Sequence, residues 1–306
     1  MQTILGSGGI IGKEASFCLS EFTDRVRQVS RNPKKVNETD QIYPANLKIE
    51  SEVMEAVKGS DVVYLTVGLP YNTKIWQEFW PKIMRNTINA CKQHQAKLVF
   101  FDNVYMYGYV DGWMKEGTPF NPISKKGEVR AHIASMLLDE MKSGNINALI
   151  ARAADFYGPQ ATNTYVGPMV FDRLQAGKKP QIMINPEAKH SFTFTPDAAR
   201  AMVLLGNTED AYGQSWHLPT DSNTLSGIEF VSKTATLFGK NPKYSVLSPL
   251  MLKMAGIFSP IIKETLEMDY QYKSDYLFDS SKFNDRFFKP TPYQKGIQAI
   301  YQSQYS

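Results

Sequence analysis

The stretch Gln2-Thr3-Ile4-Leu5-Gly6-Ser7-Gly8-Gly9-Ile10-Ile11-Gly12 opens the chain with a short strand-forming run, a glycine-rich turn and the apolar start of a helix. Glycines at 6, 9 and 12 between a strand and a helix have the spacing and context of a loop that cradles a dinucleotide pyrophosphate. Gly6 permits the tight strand exit, Gly9 lets the backbone approach the anion, and Gly12 lets the helix pack closely on the sheet. The helix N-terminus then presents unpaired N–H groups. Gly6, Gly8, Gly9, Ile10, Ile11 and Gly12 are the expected phosphate contacts. A bare strand-to-helix turn can carry glycines too, so the surrounding pattern has to decide.

Outward from this loop, short apolar runs alternate with amphipathic stretches, the βαβ signature of a parallel sheet covered on both faces. Strands are expected at Gln2–Leu5, Arg25–Ser30, Gln41–Pro44, Val62–Val67, Lys97–Phe101 and Asn147–Ala151. Helices are expected at Ile11–Glu21, Glu50–Lys58, Trp76–His94 and Lys126–Lys142. The fold class is α/β, a Rossmann-type doubly wound parallel sheet whose ligand crevice lies at the carboxyl ends of the strands, with a smaller C-terminal substrate lobe. The dinucleotide-binding domain is expected over residues 1–159. Residues 160–306, richer in Pro, Tyr, Phe and Met, form mainly the substrate-binding lobe. The strand-like runs His190–Thr195 and Ser215–Leu218 are expected to rejoin the large sheet.

The second strand ends in Val29-Ser30-Arg31, with no acid at the tip where a carboxylate would accept the ribose hydroxyls of NAD. A guanidinium there pairs with a 2′-phosphate and stacks on adenine, so Ser30 and Arg31 favour NADP(H), with NAD(H) the alternative.

A composition of 42% hydrophobic and 21% charged residues supports a sizeable core. The net charge of +4 comes from scattered lysines and arginines, so no nucleic-acid partner is expected. No apolar run reaches the roughly 20 residues of a membrane span, and no leader precedes the first strand. The expected address is cytoplasmic, with no membrane partner, a small-molecule substrate and a possible homodimer. Cys18 and Cys91 read as reduced structural thiols, and the four histidines show no ligand spacing, so no metal is expected.

With these residues in view, the sequence resembles the extended, here atypical, short-chain dehydrogenase/reductases, the NAD-dependent epimerase/dehydratase family. Asn46-Leu47 stands where that family has Asp-Leu near the adenine, and Gly59-Ser60-Asp61-Val62-Val63 leads into the fourth strand as its Gly-x-Asp-x-Val does. Tyr107-Gly108 matches its Val-Tyr-Gly. Arg152 with Tyr157-Gly158-Pro159 matches Arg-x-x-Asn-x-Tyr-Gly-Pro, Asp155 replacing the Asn. His190-Ser191-Phe192 followed by Asp197-Ala198 is similar to its Arg-Asp-Phe segment. The resemblance implies cofactor contacts from Asn46, Leu47, Thr66, Val67, Gly68 and Lys126, and substrate contacts from Tyr157 and His190. His190 replaces a diphosphate-binding Arg, which disfavours a nucleotide sugar.

The catalytic positions depart from the pattern. Asn103 stands where the family has Ser or Thr, and the family's Tyr-x-x-x-Lys aligns with Lys126 and Arg130. Both cations fall on one helix face, in a first turn where positive charge opposes the macrodipole and calls for an anion nearby. The expected catalytic set is Asn103, Lys126, Arg130 and Tyr105, with Tyr107 as a further hydroxyl. The function implied is an NAD(P)-dependent oxidoreductase or epimerase on a small molecule. The alternative is a non-catalytic NADP-binding redox sensor.

Overall fold

The structure, a computed structural model, describes residues 1–161 and 164–306. The chain divides into two compact units. The first comprises Met1–Met106, Lys125–Ala153 and Ala198–Leu218; the second comprises Tyr107–Ser124, Ala154–Asp197 and Pro219–Ser306.

The first unit is built on a seven-stranded, wholly parallel sheet. Its strands β1 (Gln2–Leu5), β2 (Val26–Ser30), β3 (Gln41–Pro44), β4 (Val62–Leu65) and β5 (Lys97–Asp102) are followed by Ala148–Arg152 and Ser215–His217. Spatially the order runs Ser215–His217, Ala148–Arg152, β5, β4, β1, β2, β3, so it reverses between β1 and β4. That reversal opens a crevice at the strand ends. β1 and β4 are buried at every residue, as apolar runs covered on both faces must be. The edge strand β3 exposes Gln41, Ile42 and Pro44, and the proline sits where no ladder bond is needed.

Helices α1 (Ile10–Leu19), α2 (Glu50–Val57), α3 (Thr73–His94) and α4 (Lys125–Lys142) lie near the expected places. The α3 helix begins three residues earlier than its apolar periodicity indicates, because the Asn72 side chain accepts the Ile75 N–H and caps it. The fourth strand stops at Leu65 rather than Val67, since Thr66 and Val67 turn across the end of β1.

One expectation is corrected. Phe192–Phe194, within the run placed at the large sheet, instead pairs in parallel with Asp155–Tyr157 as a two-stranded sheet of the second unit. Its side chains are buried on both faces, and Phe192 and Phe194 pack on Tyr157 in an aromatic core with Phe171, Phe230 and Tyr293. Burial in that core, rather than an open edge of the large sheet, sets its partner. Ser215–His217 does join the large sheet, beside Ala148–Arg152.

Candidate functional site

The glycine loop lies at the order reversal. Gly6 has φ +101°, a conformation L side chains rarely adopt, and a Cβ there would collide with the Val67 backbone. A Cβ on Gly12 would come within 2.9 Å of the Gly6 carbonyl oxygen and Ser7 Cα. Gly8 and Gly9 differ: nothing lies within 4 Å of a Cβ on Gly8, and on Gly9 only the Gly6 oxygen at 3.7 Å. Two glycines thus fold the loop and two keep space open before it. Gly6 and Ser7 donate backbone bonds to Val29, and no side chain caps α1. The first N–H groups of the helix, around Ile10, Ile11 and Gly12, therefore lack intrahelical acceptors. The Ser7 hydroxyl is buried with no partner. An orphaned hydroxyl beside the unpaired first-turn amides of α1 fits a pyrophosphate.

At the β2 tip, Ser30 is half-buried and Arg31, Lys34 and Lys35 are exposed. The buried carboxylate of this loop, Asp40, is turned inward, accepting from the Val36 and Asn37 N–H groups at 2.9 Å each and from Gln28 Nε2 at 2.8 Å. The tip is left cationic. Farther on, the Asn46 N–H donates to Glu52 at 2.7 Å and its Oδ1 accepts from the Lys48 N–H, while Leu47 is buried. Thr66 is buried against the Leu5 carbonyl, Val67 crosses Gly6, and Gly68 has open space where a Cβ would stand.

The end of β5 carries a charged cluster. Asp102 is buried; its Oδ1 accepts from Arg130 Nε at 2.8 Å, from Arg130 Nη2 and from the Asn103 N–H at 2.9 Å, and its Oδ2 lies 3.7 Å from Arg152 Nε. Arg130 is 3% exposed, with its guanidinium 4.5 Å from the Trp80 ring and 5.2 Å from that of Phe100. Asn103 Oδ1 accepts the Tyr105 N–H at 3.2 Å and shapes the turn, leaving its amide nitrogen as the group with chemistry to offer. The Tyr105 ring stacks on Trp76 at 6.3 Å.

Lys126 is fully buried. Its Nζ donates to Thr73 Oγ1 at 2.9 Å and lies 4.5 Å from the Tyr71 ring centroid. Lys126 and Arg130 share a helix face, but each has its own partners. The aromatics Trp76 and Trp80, readable in sequence only as packing, wall the Arg130 guanidinium. Thr73 carried no signal in the sequence beyond its place after the Asn72 cap.

In the second unit, Tyr157 is a core residue, its ring against Phe194 at 5.3 Å and Tyr293 at 5.4 Å. His190 lies between the rings of Tyr272 and Tyr276, at 4.9 and 4.4 Å, and bonds Asp155 Oδ2 through Nε2 at 3.0 Å. It borders a small apolar cavity lined also by Tyr165, Val170, Ile182, Phe192 and Phe230. Tyr107 packs on Phe120.

Burial raises the Cys18 thiol to about 11, Glu14 and Glu21 adding to it, and burial alone pushes Cys91 up further. Both stay protonated at neutral pH, which leaves neither as a ready nucleophile. Among the described residues no cluster of His, Cys, Asp or Glu could hold a metal ion.

A parallel sheet reversing between β1 and β4, with a glycine cradle at the reversal, defines a Rossmann-type dinucleotide-binding protein. More narrowly, the chain belongs to the NAD dependent epimerase/dehydratase family, whose model matches residues 3–217. The structure is similar to UDP-glucuronic acid 4-epimerase from Bacillus cereus in complex with UDP-glucuronic acid and NAD, with a TM-score of 0.80 and 16% identity over 99% of this chain and 98% of that one. It is similar to UDP-glucose 4-epimerase from Thermus thermophilus in complex with NAD, with a TM-score of 0.78 and 16% identity over 99% and 98%. A dTDP-glucose 4,6-dehydratase double mutant from Streptomyces venezuelae, with NAD and DAU bound, gives 0.80 and 13% over 99% and 97%. At such identities the likeness is one of fold. No curated protein matches the sequence significantly.

Proposed function

We propose that the protein is an NADP(H)-dependent oxidoreductase or epimerase acting on a small molecule. The observation that carries this reading is Lys126, an amine with no exposed surface in the same unit as the phosphate cradle. A buried ammonium is costly, and here Thr73 and the Tyr71 face hold it at one position. The loop Gly6–Gly12 holds the cofactor phosphates, Arg31 beside Ser30 holds the 2′-phosphate, Asn46 and Leu47 border the adenine, and Thr66, Val67 and Gly68 border the riboses. When bound, the nicotinamide supplies hydride exchange. Lys126 holds or moves the proton at Nζ, and Asn103 donates its amide to a substrate oxygen as a serine hydroxyl would. Arg130 acts through Asp102, fixing the turn that carries Asn103 and Tyr105. Among the described residues no arginine or lysine lines the second unit's cavity, and His190 is engaged by Asp155, which supports an uncharged substrate over a nucleotide sugar.

A reductase assay with NADPH and a panel of carbonyl compounds tests this reading. Lys126→Met keeps the stem and removes the amine; it is expected to slow turnover about a hundredfold, the lower end of what a positioned acid or base contributes. An unaltered rate and pH profile would move the proton to Tyr105. Calorimetry is expected to show tighter binding of NADP(H) than NAD(H), and Arg31→Ala to shrink that preference by about 1–3 kcal/mol, the scale of charge-assisted hydrogen bonds. Equal affinities in the unaltered protein would remove the argument from the cationic tip.

A redox sensor is the second reading. One observation favours it: Arg130, at the position aligned with the family's catalytic lysine, is committed to Asp102. Tight NADP(H) binding without turnover of any carbonyl or alcohol would select it.

A further inference from the structure

Six large apolar side chains of the second unit point away from the protein on one short helical hairpin, Pro249–Phe258 followed by Pro260–Thr265. Leu250, Met251, Met254, Ile257, Phe258 and Ile261 are 68%, 51%, 57%, 77%, 87% and 67% exposed. The local sequence specifies this arrangement. Ser248 and Ser259 each accept an N–H of the helix they precede, and Pro249 and Pro260 occupy first-turn positions where no N–H is missed. Leu252 and Gly256 form the buried face of the first helix; a Cβ on Gly256 would lie 3.4 Å from Lys263 Cα and 3.3 Å from Leu266, so the missing side chain lets the two helices approach. On the other face, Ile257, Leu250, Met254, Phe258 and Met251 follow one another around about a third of the helix circumference, with Lys253 at the edge of the stripe. The helix is amphipathic with its wider apolar face turned to solvent.

Charge defines what covers it. Between Glu229 and Glu264 the sequence holds no acidic residue and five lysines, Lys233, Lys240, Lys243, Lys253 and Lys263. The last four are exposed. A two-fold pairing of identical hairpins would set Lys253 and Lys263, the two lysines on the hairpin itself, against their own copies, whereas an anionic surface would complement them. We propose that the hairpin is a peripheral membrane-binding element that seats its apolar stripe in the headgroup region of an anionic phospholipid bilayer, with the lysines at the phosphates. Apolar wedges flanked by lysine stems that reach back to the headgroups bind in this way without spanning. Among the described residues no helix is long and apolar enough to cross a membrane. The expectation of no membrane partner rested on that missing span, and a hairpin lying in the interface needs none.

Flotation of the full-length protein with phosphatidylcholine vesicles, with and without phosphatidylglycerol, tests this. The protein is expected to float with the anionic vesicles at least about tenfold more than with the neutral ones, and to lose that preference in high salt. The double variant Ile257→Asp, Phe258→Asp is expected to cut binding more than about tenfold, since it removes the two most exposed anchors and adds anions. Lys253→Glu with Lys263→Glu is expected to abolish the anionic preference. Both variants should keep the unaltered protein's circular dichroism and cofactor affinity, because the altered side chains make no core contact. No flotation by the unaltered protein, or flotation unchanged in the folded double variant, would overturn the proposal. So would a solution dimer that the same Asp substitutions dissociate, which would assign the face to a second copy.

Discussion

Gly9→Val is expected to weaken NADP(H) binding by about a hundredfold to ten-thousandfold, the loss of two hydrogen bonds to a charged group at about 1.5–3 kcal/mol each, in a protein that remains folded. The geometry separates the two effects. At Gly9 the backbone has φ −85° and ψ 164°, which valine accepts, and the nearest atom to an added Cβ is 3.7 Å away. The branched side chain thus meets no protein atom at its root and projects over the helix N-terminus, where a pyrophosphate would lie. Gly12→Ala is the contrasting control: its Cβ would be 2.9 Å from the Gly6 oxygen, so it should lower the thermal midpoint as well as affinity. Titration of both cofactors into each variant, beside a melting curve, makes the comparison. A folded Gly9→Val protein that keeps its affinity would reduce the loop to a structural turn.

How far sequence reaches into this molecule depends on whether a residue's role is local. Strands β1 and β3 have the bounds their apolar runs predict, and the glycine loop is legible because every part of its task lies within seven residues. The run around Phe192–Phe194 reads as a strand, but its alternation does not state which strand it pairs with; only Tyr157, Phe230 and Tyr293, distant in sequence, draw it into the second unit. Asp155–Tyr157 escaped notice as a strand since three residues leave no periodicity to read. The hairpin after Ser248 shows in the sequence only as part of the methionine- and phenylalanine-rich substrate-binding lobe. Its caps and prolines define the helices, yet which face is buried depends on Gly256 meeting the segment around Lys263 and Leu266. At the candidate site, Lys126 and Arg130 were located by alignment, while their separation into two environments follows from Thr73 and Asp102, each on another element of the first unit.

Asp102→Asn is expected to destabilise the first unit by about 3–5 kcal/mol, as loss of one member of a buried ion pair does. Asp102 is the shared anion of Arg130 and Arg152, which are 3% and 1% exposed, and it also fixes the Asn103 N–H. An asparagine can still accept one hydrogen bond, but it leaves two buried guanidinium groups without the charge that offsets their desolvation. Arg130→Met is expected to cost less. Asp102 would keep the Arg152 charge and the Asn103 donor, while the methionine stem retains contact with Trp80 and Phe100. Melting curves of the two variants test this ranking. If Arg130→Met proved the more damaging, the aromatic enclosure of the guanidinium would outweigh its ion pair. The ranking also bears on chemistry, because Asp102 sets the turn in which Asn103 bonds the Tyr105 N–H. Asp102→Asn is therefore expected to raise KM and lower kcat together below its melting transition, by loosening both side chains. Arg130→Met is expected to move KM and kcat in the same directions but by less, because Asp102 loses one of the groups that hold it while keeping the Arg152 charge and the Asn103 donor; kinetics identical to the unaltered protein would remove Arg130 as a positioning residue acting through Asp102.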